Sequence, residues 1–536
     1  MLPTFKATQR FLAATALAGL GLLSTAPYAA EQDAAPTKPA AVSAEEEYAQ
    51  WLTKYGAMAQ PGVNYDATLN AAKFKKAIAF VIENSARSGL SEADLRKAAR
   101  AGINSFVENV QKEKTKTKVD AESLMTAALS GMLSYVSPHD GYIPANKNQE
   151  FRDKLNDTFV GIGAQMEQTD GNLKIESVIE GSPAEKAGVQ AGDIIKSVDG
   201  TVIKDMPIDQ AIGLIRGASG TTVNIQFQRG DSTLTLPIVR APIKQASATF
   251  SMLEGGVAHV RLKSFTQTAS MDIRHAIARA KAEVLVNPTL GAGGVLKGLI
   301  LDFRGNPGGL LGEARTIADD FINSTGLITS TQGMNPDHGE RLTSTEGDIV
   351  KGVPIVVLVN EGSASASEVV AGALQDHERV TVMGADTFGK GTVQEIRSDV
   401  FGDGSLLKLT IAMYKRPSGT SPQYVGIRPD IRVDPRNSDY EEARKELIFE
   451  RKLPRSIPNP RGVAAEQNRV KAVCSPTDAG LNATAEGSAD KALYYKGGPL
   501  KGKMDAYLGC ARDFLLKKAD PVYQPRLTQT VPTANP

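Results

Sequence analysis

The stretch at residues 353–396 constrains the fold and the chemistry of this chain more than any other. It begins with an apolar run at 354–359, which is typical of a buried strand. A turn with the sequence Asn-Glu-Gly-Ser-Ala-Ser-Ala-Ser-Glu follows at 360–368, then a helix-like run to residue 376 and a short strand at 380–383. This alternation of strands and helices indicates an α/β core.

Two side chains in this stretch have the chemistry of a nucleophile and its base. The hydroxyl of Ser365 needs a neighbouring base to attack at neutral pH. Lys390 can serve only if its pKa is lowered, because the neutral amine must be present. Phe388 can supply an apolar wall, while Gly389 and Gly391 let the backbone bend tightly. We therefore expect a serine–lysine site on the loops that follow two neighbouring strands.

Spacing alone does not decide which serine is used, since Ser363, Ser365 and Ser367 alternate along the turn. Ser363 could equally cap the helix that follows. Acyl chemistry also needs backbone amides that face the developing oxyanion. We expect these from Gly308 and Ala366, with Gly309 as the reserve.

Four motifs together point to a known family. Three of them are Gly-Ser-Ala-Ser-Ala-Ser-Glu at 362–368, Thr-Phe-Gly-Lys-Gly at 387–391 with Gln394, and Leu-Asp-Phe-Arg-Gly-Asn-Pro-Gly-Gly at 301–309. A PDZ-like segment precedes them. In this order they resemble the carboxyl-terminal processing (tail-specific) serine proteases of bacteria and chloroplasts, over about residues 65–435. The resemblance implies a crotonase-like α/β core, with Ser365 as nucleophile, Lys390 as general base and Gln394 orienting the lysine.

Residues 158–240 read as a small β-rich module with glycine turns and one amphipathic helix. The succession resembles a PDZ domain, which holds a peptide's terminal carboxylate on loop amides while the peptide adds as a strand beside a helix. The resemblance implies a carboxylate-binding loop and a helix wall. These are Gly161, Ile162, Gly163 and Ala164 for the loop, and Ile208, Ala211, Ile212 and Ile215 for the wall. The alternative is a β-module without a ligand.

The predicted fold class is α/β within a multidomain α+β chain, because a PDZ-like domain is inserted between a helical region and the core. The expected boundaries are a signal peptide at 1–30, a flexible lead at 31–44, an N-terminal helical region at 45–157, the PDZ domain at 158–240, the protease core at 241–435 and a C-terminal extension at 436–536. The extension itself carries no functional signal, but its sequence predicts one helix at 439–452 and another near 504–518.

The N-terminal segment, the cysteines and the net charge indicate where the protein acts and exclude one class of partner. The first 30 residues combine a basic start with an apolar run shorter than the ~20 residues of a membrane span, which predicts export. A periplasm is the preferred site, with an uncleaved signal as the alternative membrane anchor. Cys474 and Cys510 are the only cysteines and are expected to pair in an oxidising compartment. With 61 basic against 60 acidic residues, the chain lacks the basic surplus of a nucleic-acid binder.

The expected partners are protein substrates bound by their C-terminal tails, a second copy of the chain in a homo-oligomer, and an adaptor protein. We expect neither a metal nor a cofactor. Two alternatives to a serine–lysine protease remain open, one with a different catalytic base and one without catalysis. A Ser-His-Asp triad would need a histidine brought in by the fold, since a helix would hold His377 far from Ser365. A catalytically silent PDZ scaffold that binds protein C-termini is the non-enzymatic alternative.

Overall fold

The computed structural model describes the chain in twelve segments, and all the elements below belong to one compact unit that begins at Ala44. The segments are 42–56, 67–113, 121–155, 158–169, 171–244, 246–290, 293–345, 347–434, 449–459, 470–476, 505–520 and 528–532. The predicted signal peptide and nearly all of the predicted flexible lead lie outside the described residues. So does most of a helix expected at 439–452, of which Glu450–Lys452 forms a 3-10 turn.

The N-terminal region is helical, as its apolar spacing predicts, and it packs around one apolar cluster. Ser91 caps the third helix, because its Oγ accepts the backbone N–H of Asp94 at 3.1 Å. A short strand and a further helix lead out of the bundle. The elements are α1 (Ala44–Gly56), α2 (Ala67–Asn84), α3 (Glu92–Glu113), α4 (Ala121–Val136), β1 (Gly141–Ile143) and α5 (Asn148–Leu155).

The β-rich module follows, entered and left through one antiparallel pair of strands, β2 (Thr158–Gly161) with the later β9 (Ala241–Lys244). Its own sheet has the order β3-β4-β5-β7-β8, with β6 paired to β5. Strand β3 is therefore an edge strand. The elements are β3 (Ala164–Thr169), β4 (Asn172–Val178), α6 (Pro183–Lys186), β5 (Ile194–Val198), β6 (Thr201–Val202), α7 (Ile208–Ile215), β7 (Thr222–Arg229) and β8 (Ser232–Val239).

The core is an eight-stranded sheet whose six central strands run parallel. In sheet order its strands are β10 (Ala248–Leu253), β11 (Val257–Leu262), β12 (Gly298–Asp302), β15 (Ile355–Val359), β16 (Thr381–Gly384), β19 (Ile431–Val433), β20 (Ala472–Pro476) and β21 (Thr528–Pro532). The helices are α8 (Ala269–Val286), α9 (Leu311–Asp319), α10 (Ala366–Asp376) and α11 (Ala506–Ala519).

Alternating side chains of the core strands enter two separate apolar clusters. Leu301 and Val357 pack with α8, α9 and α10, whereas Ile300 and Val356 pack with α11 on the other side. The described parts of the C-terminal extension therefore complete the core, because β20 and β21 lengthen its sheet and α11 covers its second face.

A second sheet lies between the core and the N-terminal helices. Its long strand β18 (Leu406–Lys415) pairs with β1, β13 (Leu327–Gly333) and β17 (Thr392–Arg397), and β14 (Arg341–Thr343) pairs with β13. Leu407 and Leu409 of β18 pack into the N-terminal apolar cluster. The helical region is thus joined to the strands that carry the predicted lysine site. Within the described residues no helix is long and apolar enough to cross a bilayer.

Candidate active site

The turn after β15 separates its three serines by their surroundings. Ser363 and Ser367 are fully buried, and their hydroxyls donate to the backbone carbonyls of Phe303 at 2.8 Å and Asn306 at 2.9 Å. Ser365 lies between them, partly exposed, at the start of α10, with a φ of 54° that few non-glycine residues adopt. Of the three, only Ser365 is partly exposed, and its side chain faces the backbone of Glu368 in a capping box at the start of α10.

Lys390 lies on the loop before β17, with its amine packed among protein atoms. Nζ donates to Gln394 Oε1 at 2.6 Å and, at 3.5 Å, to the carbonyl of Thr392. Burial and the neighbouring charge of Lys408 lower the pKa of Lys390 to about 8. A neutral amine has two protons and one lone pair, so these two acceptors leave the lone pair for an incoming proton.

The buried carboxylate of Glu368 links the serine turn to the lysine loop. It accepts the backbone N–H of Ser365 at 2.8 Å, of Gly389 at 2.7 Å and of Lys390 at 2.9 Å. It also accepts the hydroxyl proton of Thr387. Burial raises the pKa of Glu368 to about 7, although all four hydrogen bonds favour its charged form.

The glycine turn after β12 lies against the serine turn. A Cβ built on Gly308 would lie 2.9 Å from both the Ser365 Cβ and the Ala366 nitrogen. The predicted oxyanion donors, Gly308 and Ala366, are therefore adjacent to the serine. The Gly308 N–H currently donates to Asn306 Oδ1 at 2.9 Å, so it would have to share or exchange this acceptor to bind an oxyanion. Gly309, the reserve candidate, packs against Phe265 instead.

A buried ionic network holds the start of that turn. The guanidinium of Arg304 pairs with Asp302 at 2.7 Å and with Asp505 at 2.8 Å, and Asp302 also contacts His259 at 3.1 Å. Asp505 caps α11, because its side chain accepts the N–H groups of Tyr507 and Leu508. The C-terminal helix is therefore fastened directly to the base of the glycine turn.

The described contacts leave Ser365 without a histidine base. Among the described residues, His139 contacts Glu450, His259 contacts Asp302, and His377 contacts the carbonyl of Leu327. The described residues likewise contain no hydrogen bond between Ser365 Oγ and Lys390 Nζ. They also contain no group of three or more His, Cys, Asp or Glu side chains placed to hold a metal.

The predicted pair of cysteines forms a disulfide, which joins Cys474 on β20 to Cys510 on α11.

The four residues of α7 that were predicted to form the peptide wall differ in their exposure to solvent. Ala211 and Ile215 are both 1% exposed and lie in the module's apolar core, one helical turn apart on the inner face of α7, so they cannot form a peptide wall. Ile208 and Ile212 lie on the same helix and keep partial exposure. Gln168 Nε2, on the edge strand β3, donates to the carbonyl of Met206 just before α7.

In the predicted carboxylate-binding loop of the β-module, two backbone carbonyls already accept hydrogen bonds from the module itself. Gly163 has a φ of 80°, Ile162 is buried, and their carbonyls accept the N–H groups of Ile179 and Ala184. Gly161 ends β2, and Ala164 begins the edge strand β3. The loop that was predicted to bind a carboxylate therefore leads directly into a strand with one free edge, next to the exposed side of α7.

Sequence reasoning did not identify several residues that shape the site. Glu368 was quoted within a motif but given no role, although Ser-x-x-Glu at 365–368 has the spacing of a capping box. Asn306, which accepts the Gly308 N–H, and Thr410, whose hydroxyl accepts Gln394 Nε2 at 3.1 Å, have no local sequence signal of these contacts. Asp140, which contacts Thr410 across 270 positions of sequence, is likewise identified only by the fold.

Comparison with known proteins agrees with these observations. Residues 256–433 match the model of peptidase family S41, and residues 174–229 match a PDZ domain. A carboxy-terminal-processing protease of Bartonella bacilliformis is 40% identical over 59% of this chain and 70% of its own length. The carboxy-terminal processing protease CtpA of Bacillus subtilis is 34% identical over 66% of this chain and 73% of its own.

Among solved structures, the photosystem II D1 C-terminal processing protease is 25% identical, with a TM-score of 0.39, over 72% of this chain and 99% of that chain. The predicted family and its PDZ domain are confirmed, and the parallel core sheet with helices on both faces confirms the α/β fold class. The chain therefore belongs to peptidase family S41, among the carboxy-terminal processing serine proteases, and it carries a PDZ domain.

Proposed function

We propose that this protein is an exported serine endopeptidase that binds protein C-terminal tails through its PDZ domain and cleaves peptide bonds with Ser365, Lys390 and Gln394. The observation that carries the proposal is that Glu368 holds the loops of two residues together, a partly exposed serine at positive φ and a lysine whose pKa is lowered to about 8. Lysine is otherwise charged at neutral pH and cannot accept a proton.

The reaction would proceed in two halves. Neutral Lys390 takes the proton of the Ser365 hydroxyl as the oxygen attacks the peptide carbonyl, and the oxyanion forms beside the N–H groups of Gly308 and Ala366. Lys390 then delivers the proton to the leaving amine, which departs and leaves an acyl-enzyme. Water attacks the ester with Lys390 again as base, and Ser365 regains its proton.

Recognition of the tail follows from the free edge of β3 and the exposed side of α7. A peptide that adds to β3 would end at the loop formed by Gly161, Ile162, Gly163 and Ala164, whose amides would meet its carboxylate. Ile208 and Ile212 would contact its apolar side chains. An amidated peptide should therefore be cleaved less efficiently than the same peptide with a free carboxylate.

Export is supported by the signal-like segment at 1–30 and by the disulfide between Cys474 and Cys510, since disulfides persist in oxidising compartments. Cell fractionation and N-terminal sequencing of the mature chain test this part. A full-length chain in the cytoplasmic fraction would contradict it.

A digest of casein and of an apolar-tailed peptide tests the activity. The parent should cut both, while Ser365→Ala and Lys390→Ala should cut neither, and circular dichroism should show that both variants are folded. Cleavage that persists in either variant would contradict the assignment. Tail binding without any cleavage by the parent, with or without a tail peptide added, would favour the silent scaffold.

A further inference from the structure

A chain of hydrogen bonds leads from the lysine amine to the N-terminal region. Lys390 Nζ donates to Gln394 Oε1 at 2.6 Å, and Gln394 Nε2 donates to Thr410 Oγ1 at 3.1 Å. The Thr410 hydroxyl donates to Asp140 Oδ1 at 2.6 Å, and so does its backbone N–H at 2.6 Å. Asp140 lies between α4 and β1, outside the residues that match the peptidase family model.

The carboxylate of Asp140 determines which group donates and which accepts in each of these hydrogen bonds. An ionised carboxylate only accepts hydrogen bonds, so the single proton of the Thr410 hydroxyl must point towards Asp140. The hydroxyl oxygen is then left as an acceptor for the Gln394 NH₂ group, whose other hydrogen bond goes to the Thr392 hydroxyl at 3.0 Å. The amide oxygen of Gln394 therefore faces Lys390. With the opposite polarity, the Gln394 NH₂ group would face Lys390, where it would repel the ammonium form and occupy the lone pair that the neutral amine needs as a base.

We infer that Asp140 is a positioning residue for the catalytic lysine, because it fixes the Thr410 hydroxyl as a donor and thereby holds the Gln394 amide with its oxygen towards Lys390. The inference rests on the proposed serine–lysine function. It assigns to the N-terminal helical region a direct part in arranging the site, beyond the residues of the S41 core.

The surroundings of Asp140 support a positioning role over a purely structural one. Its Oδ2 is shut off from solvent and has no hydrogen-bond partner among the described residues, so the group is a poor source of stability. Burial raises the pKa of Asp140 to about 7, against the hydrogen bonds from Thr410. When Asp140 is protonated, the Thr410 hydroxyl can turn to Ser137 Oγ, which lies 3.2 Å away.

Charged neighbours complete the electrostatic setting. Asp140 is faced by Lys408, Lys390 and Arg87, while Lys390 is faced by Lys408, Glu450, Glu368 and Asp140. The negative charge of Asp140 raises the pKa of Lys390, in opposition to burial. Removing that charge should therefore lower the lysine pKa, even where the loss of positioning slows the reaction.

The test compares three variants of the full-length protein with the parent by steady-state kinetics across pH. Thr410→Val removes the hydroxyl and should reduce kcat about 10- to 100-fold with little change in KM, as expected for a misplaced catalytic group. Thr410→Ser, which keeps the hydroxyl, should retain most of the parent activity. Asp140→Asn should also reduce kcat, and the acid limb of its kcat/KM profile should move to lower pH.

Asp320→Asn is the matched control, since it neutralises another buried carboxylate, paired with Arg274, that lies outside the site. It should leave kcat and the pH profile close to the parent. Parent-like kcat and pH profiles in Thr410→Val and Asp140→Asn would overturn the inference. So would an equal loss in Thr410→Val and Thr410→Ser. Residual cleavage by Ser365→Ala would instead contradict the proposed function, and the two failures are distinguishable.

Discussion

Ser365 and Lys390 share one acceptor: their backbone N–H groups both donate to Glu368 Oε2, at 2.8 and 2.9 Å. The other oxygen of the same carboxylate accepts Gly389 and Thr387. The loop that carries the lysine and the turn that carries the serine are therefore held in register through their backbones.

Glu368→Gln should disrupt both loops at once. A glutamine side chain offers one acceptor oxygen and one NH₂ group, so at least one buried backbone N–H would face another donor. We expect the free energy of unfolding to fall by about 1–3 kcal/mol and kcat to fall about 100-fold through misplacement of the pair. Chemical denaturation and steady-state kinetics measure the two effects. Unchanged kcat in a destabilised variant would restrict Glu368 to a role in stability.

Activity should rise with pH because Lys390 acts as the neutral amine. Below its pKa of about 8, kcat/KM should increase about tenfold per pH unit and then level off. Gln394→Glu should move this limb to higher pH, since a negative charge beside the amine favours the protonated form. A pH profile from 6 to 10 for both proteins measures the shift, with ~0.1 M salt held constant. An unshifted limb in Gln394→Glu would contradict the assignment of the limb to Lys390.

Gly308→Ala should reduce activity far more than Gly305→Ala. Both glycines have positive φ, at 101° and 68°, so both substitutions strain the backbone. A Cβ at Gly308 would meet Ala364 O at 2.8 Å and the Ser365 Cβ, whereas one at Gly305 meets nothing within 4 Å. We expect kcat to fall about 10²- to 10³-fold for Gly308→Ala, the range for loss of an oxyanion donor. Equal kcat in the two variants would place the oxyanion elsewhere.

The predictable parts of this protein are those with a local signal. The strand and turn around Ser365, the PDZ module and the helix α11 all have periodicity or turn residues that identify them. Contacts between distant segments have no such signal: Arg304 and Asp505 are 201 positions apart, and only the fold shows that α11 closes the second face of the core. The module's helix shows the same limit, because spacing alone did not separate the buried Ala211 from the accessible Ile212.

The disulfide should stabilise the protein with little effect on chemistry at low temperature. It closes a loop over a sequence separation of 36 residues, which corresponds to about 4 kcal/mol in the loop-entropy model. Cys474→Ala with Cys510→Ala should therefore unfold at lower denaturant concentration, with kcat at 20 °C close to the parent. Because Asp505 holds Arg304 from the same helix, a large loss of kcat in a folded variant would show that the disulfide also supports the glycine turn.

If neutral Lys390 activates Ser365, this serine should react with a fluorophosphonate probe, which phosphonylates an activated serine and releases fluoride. Mass spectrometry of the modified peptide then locates the label. We expect a single label on Ser365, faster labelling as the pH rises towards about 8, and no label in Lys390→Ala. A label on Ser363 or Ser367, or equal labelling of Ser365 in Lys390→Ala, would contradict the activation of Ser365 by Lys390.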